Sequence, residues 1–408
     1  MKEISKRNFY ITSFIFSVII IFFGNMQLRT YLMWLPLILI IWLAALFLMK
    51  RLKVEKVFLK ILFINVLWLL YTLPFTFSVL RPDIHIKAVL ETLLYVLGLT
   101  IIISYITNRR SLFNVLIFLV NVYVFVSLLM LVLQIVGIYN DGGAFSSLYS
   151  NRNVFAFMSL VFLAIILNMP KSIRNRNKKK QIVMLIVFIM MTGSTKGLLG
   201  ILIIFSIYMF FNYKLSNGVP LLVLFFAVFS GLLMIFNDST ERLMKKVNVL
   251  ENYDVTYTAE NIGNDSGAIR MVLAIDAINI FLEHKLKGVG VNNGQYYLTL
   301  PKAFRSQMNS INSQNNITEM LLNAGIPGFL LYYFPLIYLL YKSSRSKTKH
   351  KEIKVMIITL ITLKLSMDIG MKSYNDAAHV FSIILVWSLF YRYIKNDVSP
   401  YKIQNKNK

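Results

Sequence analysis

The chain has 408 residues, 57% of them hydrophobic and 15% charged, with a mean hydropathy of +0.63, a composition that excludes a soluble domain of this length and marks an integral membrane protein. The net charge of +25 comes with no cysteine at all, so disulfides, thiol nucleophiles and thiolate metal sites are excluded. Four scattered histidines (His85, His284, His350 and His379) fall into no H-E-x-x-H spacing, which argues against a metal enzyme built on imidazoles.

Apolar runs of roughly 17 to 25 residues recur from Phe9 to Tyr393 between short polar clusters, as expected of helices that must satisfy their own backbone in lipid. The alternation of a transmembrane barrel is absent. The first run, "FYITSFIFSVIIIFF", follows "MKEISKRN" without a small-x-small cleavage site and leads straight into further spans, so it reads as an uncleaved first helix. Hydropathy predicts an all-α, polytopic bundle of about twelve spans. They cover 9–24, 31–49, 57–80, 88–106, 112–138, 153–169, 181–194, 197–213, 219–236, 315–341, 355–370 and 377–394. The chain thus divides into nine spans within 1–236, a long extracytoplasmic cap over 237–314, three spans over 315–394 and a cytoplasmic tail over 395–408.

The basic residues set the orientation. With the N-terminus inside, the segments "MKEISKRN", "KRLKVEK", "NRR", "PKSIRNRNKKK", "NYK", "YKSSRSKTKHKEIK" and the tail from Tyr391 hold well over half of the 43 lysines and arginines. By the positive-inside rule both termini are then cytoplasmic. The surplus reads as a topology signal with attraction to anionic membrane lipids, and no nucleic-acid partner is expected. The loop 237–314 differs from every other connection in length. Within it "SGAIRMVLAIDAINIFLEH" has the period of an amphipathic helix, with Ile269, Val272, Leu273 and Ile280 on one side. "KGVGVNNGQYY" follows as a glycine-rich turn, and the whole is expected to form a folded cap on the membrane surface.

Polar residues gather where the spans end outside. "SLYSNRNVFAF" places Arg152 and Asn153 at the start of one span, "MTGSTKGLLG" places Ser194, Thr195 and Lys196 between two others, and Arg81, Arg270, Arg305, Asp368, Lys372 and Asp376 share that side. Cations there run against the positive-inside bias, and an anionic ligand is one reason for them. Plainer readings stand beside it: Arg152 and Lys196 can snorkel to headgroups, Arg270 can pair with an acid of the loop, and Lys364 and Asp368, four apart, can neutralise each other. Glu319 lies about one turn inside a span, where a carboxylate must be paired, hydrated or functional. "GIPG", residues 325–328, kinks that span.

The order of these motifs resembles the bacterial O-antigen polymerase and O-antigen ligase superfamily. "SLYSNRN" before an apolar span is similar to the family's asparagine entry to a middle helix, and "MTGSTKGLLG" to its Thr/Ser–basic–Gly turn, with Lys196 where arginine is commoner. "RMVLAIDAINIFLEHKLKGVGVNNGQYY" is similar to the arginine-initiated cap helix ending in Gly-Val-Gly. "QNNITEMLLNAGIPGF" resembles the ligase signature of His, then Asn, Ser or Gln, nine residues and Gly-x-x-Gly. Asn315, Gly325 and Gly328 align with that signature, and Gln314 stands where the ligase histidine belongs. The resemblance implies an undecaprenyl-diphosphate-linked oligosaccharide donor on the outer face of the bacterial cytoplasmic membrane, without a metal or other cofactor. It further implies Arg152, Lys196 and Arg270 against the diphosphate, and Asn153, Gln314, Asn315 and Arg305 around the acceptor sugar. The expected catalytic residues are Arg270 and, in place of the histidine, the nearby carboxylate Glu319. The missing imidazole moves the expectation from ligase to a polymerase of capsule, exopolysaccharide or O-antigen repeat units, with a flippase and a chain-length regulator of the same pathway as possible partners. A flippase or exporter of lipid-linked glycan is the rival reading, disfavoured by the absence of an internal repeat. A scaffolding subunit is the third.

Overall fold

The structure is a computed structural model and describes residues 56–105, 109–138, 145–147, 149, 151–212, 266–298, 313, 315–374 and 376–395. The expected spans 9–24, 31–49 and 219–236, most of the loop 237–314, and the sites Gln314 and Arg305 lie outside these residues.

The described residues are helical, without strands. In chain order the helices are α1 (Lys56–Thr72), α2 (Pro82–Tyr105), α3 (Arg109–Ile135), α4 (Arg152–Leu167), α5 (Lys178–Met191), α6 (Thr195–Asn212), α7 (Ser266–Glu283), the single turn α8 (Gly294–Tyr297), α9 (Asn316–Arg345), α10 (Lys351–Asp368) and α11 (Ala377–Leu389). Among the described residues six stretches are long and apolar enough to cross a membrane: Val57–Phe77, Pro82–Ile101, Leu112–Ile135, Thr195–Asn212, Asn316–Arg345 and Ala377–Lys395. The protein is therefore a multi-pass membrane protein.

Burial sorts these helices into a centre and a rim. Every residue of α4 from Val154 to Ile166 is buried, as is every residue of α11, so neither shows a polar face. α1, α3, α6 and α9 instead leave apolar side chains exposed on one flank, among them Phe63, Phe125, Phe210 and Phe334. In a membrane protein that flank is the natural face for lipid. Within the centre Tyr123 Oη bonds Ser159 Oγ at 2.7 Å and donates to the Phe155 carbonyl at 3.2 Å, joining α3 to α4.

Because the helices run alternately up and down, their ends collect at two faces of unlike chemistry. One face is basic, carrying Lys171, Arg174 and Arg176 between α4 and α5, Lys178–Lys180 at the start of α5, and Lys342 to Lys354 from the end of α9 into the start of α10. Here cations meet helix C-termini: Lys178 Nζ donates to the Leu167 carbonyl at 3.2 Å and Lys354 Nζ to that of Ser346 at 3.0 Å. Such contacts satisfy orphan carbonyls and oppose the helix dipole. The other face gathers the starts of α2, α4, α6, α9 and α11, and it carries the polar network described next.

Candidate functional site

The polar face is organised by a break in α9. Asn315 caps this helix, its side-chain oxygen accepting from the backbone N–H groups of Ile317 and Thr318 at 2.9 and 3.3 Å. Three turns on, Gly325 leaves helical geometry at φ 67° and ψ −175°. Pro327 has no N–H for the Asn323 carbonyl four residues back, and the carbonyl of Leu322 lies beside it at the break. Both are taken up from outside: Val289 N–H donates to Leu322 O at 2.8 Å and Gly290 N–H to Asn323 O at 2.9 Å. The glycine-rich turn after α7 is thus hydrogen-bonded into the break. A Cβ on Gly288 would sit 2.5 Å from the Asn323 carbonyl oxygen, which explains why that position has no side chain.

The same turn is gripped from three further sides. His85, fully buried, accepts from Val291 N–H through Nδ1 at 2.9 Å, while its Nε2 lies 3.0 Å from the Thr72 carbonyl. The Asn293 side chain clasps the Arg81 backbone, accepting from its N–H at 3.0 Å and donating to its carbonyl at 3.2 Å. Asn292, at φ 61°, a conformation asparagine tolerates, donates its N–H to Tyr374 Oη at 3.1 Å. Burial, aided by the charge of Glu319, pushes the Tyr374 hydroxyl above its usual range, so it stays protonated.

Glu319 stands within this frame. It is 1% exposed, and its Oε2 accepts from Ser313 N–H at 2.9 Å and Ser313 Oγ at 2.8 Å. Its Oε1 accepts from Asn323 Nδ2 at 2.9 Å and lies 3.8 Å from Lys372 Nζ. Lys372 itself donates to Asn292 Oδ1 and lies 5.2 Å from the Tyr374 ring centroid. A second carboxylate, Asp368, is enclosed one layer away. Lys364 Nζ bonds its Oδ1 directly, Ser373 Oγ bonds the same oxygen, and Tyr333 Oη donates to Oδ2 at 3.0 Å. Asn316 joins the two clusters. Its Nδ2 donates to Tyr333 Oη at 2.9 Å, and its Oδ1 accepts from the N–H groups of Ser373 and Tyr374 at 2.8 and 2.9 Å.

The turn after α10 reaches the remaining expected sites. Lys196 Nζ donates to the Gly370 carbonyl, placing that half-buried cation beside the 369–374 turn. Asn153, whose N–H is capped by Asn151 at 2.8 Å, accepts through Oδ1 from Ser194 Oγ at 2.8 Å. Arg152 is exposed at the start of α4. Asn153, Lys196, Asn315 and Glu319 therefore share one face, linked by the turn, and Arg152 opens onto it. Arg270 lies in α7, one turn after its start at Ser266. That helix packs on α9 and buries Leu273, Ala277, Ile280 and Phe281 while exposing Ile278 and Leu282. Among the described residues no group of three His, Cys, Asp or Glu side chains is arranged to hold a metal ion.

Residues 182–333 match the family model for O-antigen ligase. The match bears out the superfamily resemblance carried by the motifs, and it supports a membrane glycan-processing enzyme of the O-antigen ligase or polymerase type. No curated protein matches the chain. The matched stretch contains Lys196, Arg270, the 288–291 turn, Glu319 and the break of α9, whereas Arg152 and the whole 369–376 turn lie outside it. Lys372, Ser373, Tyr374 and Asn316 complete the polar cluster around Glu319 and Asp368 without having been singled out for it by sequence. Lys372 alone left a signal there, as a cation on the less basic side.

Proposed function

We propose that the protein is a polysaccharide polymerase: a metal-independent membrane glycosyltransferase that joins undecaprenyl-diphosphate-linked repeat units of a capsule, exopolysaccharide or O-antigen. The observation that carries the choice between polymerase and ligase is Gln314, which precedes Asn315 inside the matched stretch where the ligase signature has histidine. His85 does not replace that imidazole, because both of its nitrogens are within hydrogen-bonding distance of backbone groups. In this reading the basic face is cytoplasmic, both termini lie there, the bundle has about twelve spans, and the loop 237–314 caps the outer face.

An acceptor hydroxyl attacks the anomeric carbon of the growing glycan. The new C–O bond forms as the bond to the lipid diphosphate breaks, and the electron pair leaves on the diphosphate oxygen. Arg152, Lys196 and Arg270 stabilise that charge, while Asn153, Gln314, Asn315 and Arg305 hold the acceptor sugar. The hydroxyl proton passes to Glu319. With so good a leaving group, positioning and charge stabilisation carry most of the acceleration.

Deleting the gene in its native host and analysing lipid-linked intermediates and surface glycan tests this reading. Single repeat units displayed outside with no long polymer are expected. Units trapped inside the cell point to a flippase, and normal polymer left unattached points to a ligase; either result overturns the polymerase assignment.

A further inference from the structure

Between α1, α9 and α11 the flank of the bundle opens into a shallow cleft, walled by Ile64 and Trp68, Leu331 and Pro335, and Ile383 and Trp387. Asn65 also lines it but donates its Nδ2 to the Ile61 carbonyl of its own helix at 2.7 Å. The cleft therefore offers a ligand chiefly hydrocarbon and ring faces. Each of its walls changes character toward the basic face. On α9, Leu331, Pro335, Tyr338 and Lys342 recur every three or four residues and form one stripe, and Lys342 Nζ lies 5.7 Å from the Tyr338 ring centroid. On α1 the same spacing leads from Trp68 and Ile64 to the exposed Lys60. Below α11 comes the π-helical turn Phe390–Lys395, against which α9 packs. There Tyr391 stacks on Trp387 at 5.6 Å, and the exposed Lys395 holds its ammonium 4.9 Å from the Tyr391 ring centroid.

Three lysines from three elements thus ring one end of an apolar groove, with tyrosine rings between the charges and the groove on two of its sides. Among the described residues no carboxylate forms an ion pair with any of the three. Leu331 and Lys342 are eleven positions apart, about 16 Å of helix. That is close to half of a hydrocarbon core of about 30 Å, so a groove lying in one leaflet has its lysines at the level of the headgroups.

We propose that this groove is a binding site for an anionic phospholipid of the leaflet on the basic side. One acyl chain lies along Trp68, Leu331 and Trp387, and Lys60, Lys342 and Lys395 hold the phosphate. Charge complementarity selects this occupant. A zwitterionic lipid fills the groove equally well but brings its own cation among three others, and a free phosphate finds the lysines but nothing for the groove. The lysine stems can lie along the apolar wall while their heads reach the headgroup, and tyrosine suits the depth between, where one end of a side chain is apolar and the other wet. The site is independent of the glycan chemistry at the opposite face. It still bears on it, because Glu319 lies in the first turn of α9, and a lipid that binds only the folded bundle stabilises that helix by mass action.

The test uses the full-length protein, freed of lipid in detergent and titrated with dioleoylphosphatidylglycerol or dioleoylphosphatidylcholine, with binding read by native mass spectrometry and by melting temperature. The anionic lipid should bind more tightly and raise the melting temperature more. Lys60→Gln, Lys342→Gln and Lys395→Gln should each weaken its binding about fivefold, the loss expected for one lysine at a charged membrane surface, and leave phosphatidylcholine unaffected. All three lysines are exposed, so these variants should melt with the wild type in detergent alone. A control removes the same charge from the loop between α4 and α5, through Lys171→Gln, Arg174→Gln and Arg176→Gln together, and should bind like the wild type. Leu331→Trp, which fills the groove without changing charge, should weaken both lipids. Equal losses in the control and in the combined groove-lysine variant would mean attraction by net charge alone and would overturn the site. So would glycerol 3-phosphate binding as tightly as the lipid, since the groove would then contribute nothing.

Discussion

Two carboxylates at the polar face are built from the same three parts and put to different ends. Asp368 has Lys364 and Ser373; Glu319 has Lys372 and Ser313. In the first cluster the lysine touches the carboxylate and both are sealed, at 2% and 0% side-chain exposure. In the second the lysine stands off at 3.8 Å, and its side chain keeps 13% of its exposure. A sealed pair has nowhere to send its charge and serves as a fixture for the turn above it. An unsealed pair keeps contact with the open face, so its charge is less fully fixed by the protein around it.

Removing one member of the sealed pair gives the largest expected effect. Lys364→Ala or Asp368→Ala leaves an uncompensated buried charge and should cost about 3–5 kcal/mol, seen as loss of folded protein in the membrane. The double change Lys364→Met with Asp368→Leu should recover most of it, because the desolvation penalty of the pair also disappears. Next comes Gly288→Ala. Its Cβ would lie 2.5 Å from the Asn323 carbonyl oxygen, so the turn must move, with an expected loss of about 1–3 kcal/mol in a thermal unfolding assay. Tyr333→Phe removes the hydroxyl between Asn316 and Asp368 and should cost about 1.5 kcal/mol. If it instead abolished chain extension with stability intact, the sealed cluster would have to be counted as part of the reaction. Lys372→Ala, on the unsealed side, should cost only about 1 kcal/mol while removing long glycan chains. Arg152→Ala should leave stability within about 0.5 kcal/mol, as its side chain is exposed, and shorten the glycan all the same. Gel analysis of surface polysaccharide, set against protein level in the membrane, separates these last two from the sealed pair.

The sequence showed its local physics plainly and its long-range contacts poorly. Apolar run length announced the spanning helices, and the i, i+4 spacing of Lys364 and Asp368 announced their pairing, because both signals lie within one helix. The period of "RMVLAIDAINIFLEH" foretold the burial of Leu273 and Ile280. The glycine-rich turn and the Gly-Ile-Pro-Gly kink were each visible as backbone irregularities. That one fills the other was not, since the contact joins residues more than thirty positions apart through main-chain atoms, which leave no side-chain pattern. Asn316 was invisible for a related reason: a buried amide that bonds one tyrosine and two backbone N–H groups looks, in sequence, like any polar residue at a helix start.

The docking of Val289 and Gly290 onto the carbonyls of Leu322 and Asn323 also bears on how the protein is made. While the chain is being inserted, α9 carries at its break two acceptors whose donors come from elsewhere in the chain, and an unpaired one costs several kcal/mol in hydrocarbon. Their donors are on a segment that precedes α9 in the chain. Assembly is therefore ordered by the chain itself: the glycine-rich turn has to be in place when the helix arrives, and a variant that delays its docking will expose the helix to membrane quality control before any folded protein exists to assay.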